Sequence, residues 1–397
     1  MNTKFGTAIC KGQDSFIVGQ QAAKQAMENA NCKTVDFSIV FTSGDYDCKS
    51  VLEGIKSVVG DTPVIGCTTA GVFNEKKVEI GSVACGVISS QTHKFYTGHG
   101  CGLRKDETIC FREAANKLPC KTENFPYTSL IMLADGLAGK GEEVSLNPLT
   151  ELGTNIKVSG GTAGDDYKFK STKVFNGNVV SEDAVSLALV NSKTPVSIGV
   201  KHGHYPISHM FRVTKANGNK VYELDGKPAT EVWLECIKEV AKKFGIDTEK
   251  MYDIQEQLVK CTAIFSPGLF TGDGYKIRWI VPPINKDYLT FTCTIPEGCV
   301  VRIMESSKQD QICSAGEAAL AALKSTGGVK LAGAMVFDCA VRGVLLGDDF
   351  YKAVEEIKKV IGDIPLIGFE TYGEFALELG QLSGFHNTTT VVLLFPD

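Results

Sequence analysis

Ser57-Val58-Val59-Gly60-Asp61-Thr62-Pro63-Val64-Ile65-Gly66-Cys67-Thr68-Thr69-Ala70-Gly71 returns far downstream as Lys359-Val360-Ile361-Gly362-Asp363-Ile364-Pro365-Leu366-Ile367-Gly368-Phe369-Glu370-Thr371-Tyr372-Gly373. Val58, Gly60, Asp61, Pro63, Ile65, Gly66, Thr69 and Gly71 recur unchanged at the matching positions, so the chain carries an internal repeat. What recurs is the end of a helix, a tight Gly-Asp turn, a strand led by proline and a glycine-bearing exit loop.

Reading outward, the first unit opens with the apolar run Phe37 to Phe41, and the second with Gly333 to Phe337. Between run and turn, Val51, Leu52, Ile55 and Val58 share one helix face, as Val354, Ile357 and Ile361 do in the second unit. Each unit therefore reads strand, helix, strand, which gives two parallel strands joined by a right-handed crossover. A fainter third copy runs from Leu130 to Ala134, through a helix around Glu142 to Leu152, and back along Ile156 to Gly161 into the loop Gly161-Thr162-Ala163-Gly164.

Between the units the pattern turns antiparallel. Asn176-Gly177 and Asn217-Gly218 each separate two short alternating runs, and Asn-Gly supplies the positive φ angles of a two-residue hairpin turn. Pro228 then opens a helix to about Phe244. A domain boundary is expected near Tyr222, dividing the chain into 1–221 and 222–397. The segment 245–300, with Pro267-Gly268, Pro282-Pro283 and Pro296, reads as loops mixed with short strands. The expected architecture is a mixed α/β fold of two domains, built from repeated βαβ units with added antiparallel hairpins.

A chain of 397 residues exceeds the usual size of a single core, and 43% apolar with 22% charged residues is ordinary globular composition. A net charge of −5 leaves no basic excess to displace counterions, so nucleic acid is not expected as a partner. No apolar run approaches a membrane span and the first residues lack a basic-then-apolar signal, so a cytoplasmic protein without membrane attachment is expected. The fourteen cysteines form no CxxC pair and read as small apolar residues in a reducing compartment.

Gly160-Gly161-Thr162-Ala163-Gly164-Asp165-Asp166 and Asn217 to Ala229 resemble the middle of FIST-domain proteins. Phe337-Asp338-Cys339-Ala340-Val341-Arg342-Gly343, Pro365 to Phe375 and Phe385-His386-Asn387-Thr388-Thr389 resemble that family's second half. The resemblance spans nearly the whole chain, as a FIST N-terminal domain followed by a C-terminal one. It implies a sensory module for a small ligand, an amino acid or other small carboxylate, acting in intracellular signal transduction. Output would pass to a separate partner of histidine-kinase or chemoreceptor type. A subset of the family resembles haem-binding nitric-oxide sensors that regulate a histidine kinase, which makes haem the alternative cofactor where otherwise none is expected. Val341 stands where the family's loop has glycine, which puts a close backbone approach to a ligand there in question.

Candidate ligand-binding residues follow from the exit loops, because ligands of open parallel sheets bind beyond the carboxyl ends of the strands. Thr68, Thr69, Gly71, Thr162, Gly164, Asp165, Thr371 and Gly373 fall there, where glycine permits approach and threonine offers donor and acceptor; the same residues also simply build turns. Arg342 is suited to a bidentate grip on a carboxylate, or to a salt bridge, and Cys339 lies beside it. Tyr372, Glu374, His386 and Asn387 would meet a positive end of the ligand, or satisfy one another. His202 and His204, two apart on a strand, are the weak metal or haem candidates, and read equally as polar edge residues. No Gly-x-Ser-x-Gly elbow occurs, and Gly136-Leu137-Ala138-Gly139-Lys140-Gly141 lacks the spacing of a phosphate loop. No catalytic residue is therefore assigned; an enzyme using Cys339 or Glu374 is the remaining alternative.

Overall fold

The computed structural model describes residues 2–272, 274–381 and 383–397. One order of elements occurs in it three times: strand, helix, strand, helix, strand, hairpin, strand. The first repeat comprises β1 (Thr3–Cys10), α1 (Ser15–Ala30), β2 (Phe37–Ser43), α2 (Cys48–Val59), β3 (Val64–Thr69), the hairpin β4 (Val72–Asn74) and β5 (Val78–Glu79), and β6 (Val83–Ser90). The second comprises β7 (His93–Cys101), α3 (Glu107–Ala115), β8 (Tyr127–Ala134), α4 (Gly141–Glu151), β9 (Lys157–Thr162), the hairpin β10 (Val174–Asn176) and β11 (Val179–Ser181), and β12 (Ala184–Ser192).

The third repeat starts with β13 (Ser197–His202) and is then interrupted by an inserted subdomain over 203–307. The insert holds β14 (Tyr205–Pro206), β15 (Phe211–Asn217), β16 (Lys220–Leu224), β17 (Lys227–Pro228), α5 (Ala229–Ile237), α6 (Gln255–Ile264), β18 (Pro267–Phe270), β19 (Tyr275–Ile277), β20 (Leu289–Thr290) and β21 (Val300–Glu305). The repeat resumes with α7 (Lys308–Lys324), β22 (Leu331–Cys339), the short α8 (Ala340–Leu346), α9 (Phe350–Ile361), β23 (Leu366–Thr371), the hairpin β24 (Glu374–Leu377) and β25 (Phe385–His386), and β26 (Thr389–Pro396).

Each repeat lays its own strands in the order first, last, second, third: β1-β6-β2-β3, β7-β12-β8-β9 and β13-β26-β22-β23. The pairs β2/β3, β8/β9 and β22/β23 are parallel, as the strand-helix-strand reading requires. The sheet of each repeat is completed by the hairpin of another repeat. β10 joins β3, β24 joins β9, and β4 joins β23, so the exchange runs around a closed cycle of three. The fold is mixed α/β with added antiparallel hairpins, as the sequence predicts.

The inner faces of the three sheets share one core that includes Phe5, Phe37, Phe41, Phe337, Phe369 and Phe395. Burying each such ring contributes about 1.5–3 kcal/mol. Three further clusters lie under the outer faces, one per sheet, each formed against that repeat's own helices. Strands with both faces covered need apolar residues in runs rather than alternation, which is why β2, β8 and β22 read as continuous. The first helix of each repeat sits directly on a glycine of the strand before it: Gly6 under Ala26 and Ala30, Gly98 under Ala114, and Gly199 under Ala318 and Ala322. A methyl group at any of these glycines would run into the helix backbone.

The Asn-Gly hairpins form as expected, Asn176 pairing with Val179 and Asn217 with Lys220. The helix from Pro228 is shorter than expected: α5 ends at Ile237 and a 3-10 turn covers Ala241–Phe244. Within 245–300, read as loops and strands, the structure adds a helix, α6. The insert has its own core around the fully buried Trp233, whose Nε1–H donates to the Phe265 carbonyl at 2.8 Å. All fourteen cysteines are unpaired. Among the described residues no helix is long and apolar enough to cross a membrane.

Candidate functional site

The loops leaving β3, β9 and β23 meet at one end of the three-sheet body and are tied to one another by their backbones. Ala70 N–H donates to the Glu370 carbonyl at 3.1 Å, Gly164 N–H to Thr68 at 2.9 Å, and Thr162 N–H to Gly373 at 2.7 Å. These bonds follow the same three-way cycle as the hairpins. Much of the polar backbone that the exit loops were expected to offer a ligand is thus consumed in joining the repeats.

Beside this junction lies a cavity of about 500 Å³, within the usual range of small-molecule sites. Repeat 2 supplies the β8–α4 loop, with Leu137 and Lys140, and Thr162 at the end of β9. Repeat 3 supplies Cys339, Val341 and Val344 around α8, and Thr371, Tyr372 and Asn387. The insert closes the remaining side with Gln255, Glu256 and Val259 of α6, and with Trp279, Val281 and Thr292. Tyr167, Phe169 and Phe385 complete a wall made largely of rings and aliphatic side chains.

The segment 165–171 places two of those rings. Asp165 accepts from the backbone N–H groups of Phe169, Lys170 and Ser171 at 2.8, 2.6 and 3.0 Å, and from the Tyr372 hydroxyl at 2.6 Å. Asp166, Tyr167 and Phe169 all hold left-handed backbone angles, φ 53°, 62° and 52°, a conformation that side chains disfavour and that Asp165 stabilises. Phe169 stacks on Tyr372 with ring centres 4.8 Å apart. The Tyr167 hydroxyl donates to Glu370 and forms part of the boundary with a second cavity of about 400 Å³, lined also by Gly343, Phe350 and Tyr351. Burial pushes the Glu370 carboxyl up to about 7, against the opposing pull of the Tyr167 hydrogen bond.

Of the residues singled out in the sequence, Thr162, Cys339, Thr371, Tyr372 and Asn387 line the larger cavity. The expectation for Arg342 is corrected. Its guanidinium is 1% exposed and engages Asp338 at 2.7 Å, Ser314 at 3.0 Å, the Gln311 carbonyl at 2.9 Å and the Gln311 side chain, so it holds the protein together and has no face for a ligand. Glu374 is also turned away. It accepts from the hydroxyls of Thr371 and Thr389 at 2.5 and 2.7 Å, and burial pushes its carboxyl up to about 8.

His386 is spent on the Ala376 carbonyl at 3.1 Å, and burial drives its pKa well below the usual histidine value. Thr68 accepts from the Lys173 N–H at 2.9 Å, and Thr69 reaches the Thr42 carbonyl at 3.5 Å. Gly71 packs on the Glu370 carboxyl, Gly164 on the backbone of Ala70, and Gly373 on the Phe385 ring. These residues build the junction rather than the cavity wall.

Neither His202 nor His204 fits an iron. His204 joins the Ala263 carbonyl through Nε2 at 3.1 Å and Gln311 through Nδ1 at 3.2 Å, and burial brings its pKa down to about 3. His202 joins the Tyr275 carbonyl through Nε2 at 3.0 Å and accepts the His204 N–H at Nδ1. With both ring nitrogens of each histidine committed, no axial bond is available from them. Cys339 is buried and its thiol is pushed well above the ordinary value by desolvation, the opposite of an activated nucleophile.

Sequence reasoning missed the insert's contribution, Trp279 above all. It also passed over Lys140 and Leu137, because Gly136 to Gly141 was compared only with a phosphate loop.

Comparison with known proteins bears on the same residues. The FIST N domain matches 36–227 and the FIST C domain 229–377. An uncharacterized protein of Methanocaldococcus jannaschii is 26% identical over 366 residues, covering 85% of this chain and 69% of its own length. An uncharacterized protein of Mycobacterium tuberculosis is 24% identical over 420 residues, with 99% of both chains covered. Among solved structures, a cyanuric acid hydrolase from A. caulinodans is similar with a TM-score of 0.29 and 12% identity over 48% of this chain and 72% of that chain, a level that carries no argument.

Proposed function

The chain belongs to the FIST family of sensory, ligand-binding domains, and on that premise we propose that it binds a small organic metabolite reversibly in the cavity of about 500 Å³ and passes the occupancy to a separate signalling partner. The observation that carries this reading is the make-up of the wall: two of the three repeats and the inserted subdomain all contribute to one half-open, mainly apolar site. A ligand touching all three stabilises one placement of the insert over others, which is the differential contact a sensor requires. Binding rather than turnover is supported by the buried Cys339, whose thiol desolvation keeps protonated.

Where the ligand carries a carboxylate, as the family resemblance implies, its cationic partner is not Arg342 but Lys140, the one lysine among the described residues of the wall. Partners of histidine-kinase or chemoreceptor type are consistent with a module of this kind. The test is a thermal-shift screen of metabolites on the full chain beside Val344→Trp, which fills the cavity from a half-exposed position on α8. Ligands of this site raise the melting temperature of the wild type by mass action and fail to do so in the variant. Hits that stabilise both equally place the ligand elsewhere and overturn the reading.

A further inference from the structure

Resting on that reading of the cavity, we propose that its ligand is a ring-bearing monocarboxylate, bound ring first with the carboxylate at Lys140, and not a zwitterionic amino acid or a dicarboxylate.

The argument starts from which polar groups of the wall still have bonding capacity. Asn387 Oδ1 takes the Thr292 hydroxyl at 2.7 Å and its Nδ2 donates to the His386 carbonyl at 3.0 Å. Thr371 is committed to Glu374, Tyr372 to Asp165, and the Trp279 indole N–H to Thr262 at 3.2 Å. Asp135, at the foot of the β8–α4 loop, already serves four donors: Arg104 at 3.1 Å, the N–H groups of Leu137 and Asp183, and the Thr172 hydroxyl. Among the buried polar side chains described in the wall, Thr162 is the exception. It is 4% exposed, lines the cavity, and its Oγ1 has no partner among the described residues.

A wall so nearly saturated offers its interior as rings and aliphatic groups: Phe169 and Tyr372 stacked together, Trp279, Phe385, Leu137 and Val341. Such a surface suits a flat ring, with Thr162 able to meet a single polar atom. A charged ammonium or second carboxylate carried in among these rings would lose its water, and the buried charges nearest them, Arg342 and Asp135, are both spent. The remaining charges of the wall are Lys140, and Glu256 at an exposed position on α6.

Lys140 is also the residue that precedes the first turn of α4, an eleven-residue helix whose N-terminus receives no side-chain cap. Its ammonium, one-third exposed, pairs with Glu107 at 3.3 Å. The two first-turn acids are held elsewhere, Glu142 by Arg278 at 2.9 Å and Glu143 by Thr294 at 2.7 Å. Cation and uncapped helix end together favour one anionic group at this side of the cavity.

The experiment titrates the full chain by calorimetry and by Trp279 emission, with Trp279→Phe marking the signal of the other tryptophan, Trp233. The probes are indole-3-acetate and phenylacetate, tryptophan and phenylalanine, neutral indole, and succinate. Ring acids are expected to bind at least about tenfold tighter than the matching amino acids or succinate, and Lys140→Gln to weaken ring acids about tenfold while leaving indole unchanged. Equal or tighter binding of an amino acid or of succinate overturns the proposal, as does a flat titration of the ring acids to about 10 mM. If such a rival ligand loses its binding in Val344→Trp, the cavity remains the ligand site and only the ligand class falls; if ring acids bind that variant unchanged, the cavity reading falls as well.

Discussion

Arg342 donates its Nε–H to Asp338 Oδ1 across 2.7 Å, four residues apart at the junction of β22 and α8, and both side chains are 1% exposed. Burial alone would raise the Asp338 pKa strongly, and the guanidinium opposes that rise. Breaking such a pair from one side leaves a buried charge uncompensated, so Arg342→Ala should cost about 3–5 kcal/mol in urea unfolding. Replacing both partners together, Arg342→Met with Asp338→Leu, should recover most of that loss. A direct ligand grip would predict the reverse: a near-normal unfolding curve with affinity selectively lost.

Stability should be greatest near pH 6–6.5 and fall toward alkaline pH. Glu370 and Glu374 rise on folding from 4.5 to about 7 and about 8, so the folded state holds protons that the unfolded chain releases. Their contribution is complete below pH 4.5 and is lost as pH rises through 7 and 8. His93 and His204 act oppositely. They fall from 6.5 to about 4 and about 3, so their contribution is present above pH 6.5 and lost on acidification. Urea titrations should show a drop of about 1–3 kcal/mol between pH 6.5 and 8.5, and Glu374→Gln should flatten it. An alkaline limb unchanged by that substitution would refute the assignment.

How far the sequence disclosed this molecule depends on the range of each interaction. The Gly-Asp turn and following proline strand at 60–66 and 362–368, and the Asn-Gly hairpins, are set by neighbours along the chain, so they were legible. The exchange of hairpins was not. β4 finds β23 and β24 finds β9 across most of the sequence, and no short pattern records that pairing. α6 was missed because it lacks a side-chain cap at Ile254 and its apolar residues mark no strong stripe. For Arg342 the residues left a carboxylate grip and a salt bridge both open, although the signal for the second was present: Asp338 lies one helical turn before it, the spacing of an ion pair. The cavity escaped because Trp279 and Thr292 reach it from segments without periodicity.

Gly343 should prove intolerant of any side chain. A Cβ there would overlap Glu370 Oε2 and approach the Tyr167 hydroxyl at 2.6 Å, where both are held by their mutual hydrogen bond. Neither group is the free end of a flexible surface chain, so the clash is relieved only by parting them. Gly343→Ala is expected to destabilise by about 1–3 kcal/mol. In the background of Tyr167→Phe, which removes the obstructing hydroxyl, the same change should cost measurably less; equal cost in both backgrounds would place the strain elsewhere.

The insert is the element most able to respond to a ligand, and Arg278 is its principal fastening. Its guanidinium, 1% exposed, reaches Glu142 of α4 at 2.9 Å and the Phe385 carbonyl at 3.2 Å, joining the insert to repeats 2 and 3 behind the cavity. Thr294 to Glu143 and Thr292 to Asn387 add neutral or half-buried links along the same seam. Arg278→Ala removes the guanidinium's two links and should cost about 1–3 kcal/mol, because Glu142 keeps partial solvent and the Ser383 hydroxyl. Hydrogen exchange should locate the effect: amides of α6 and β19 speed up, while those of β2, β8 and β22 in the shared core do not. A ligand bridging Trp279 to Tyr372 should slow the same amides in the wild type. Uniform acceleration across the three sheets on Arg278→Ala would mean that insert and body open as one unit, and that occupancy of the cavity has no separate element to move.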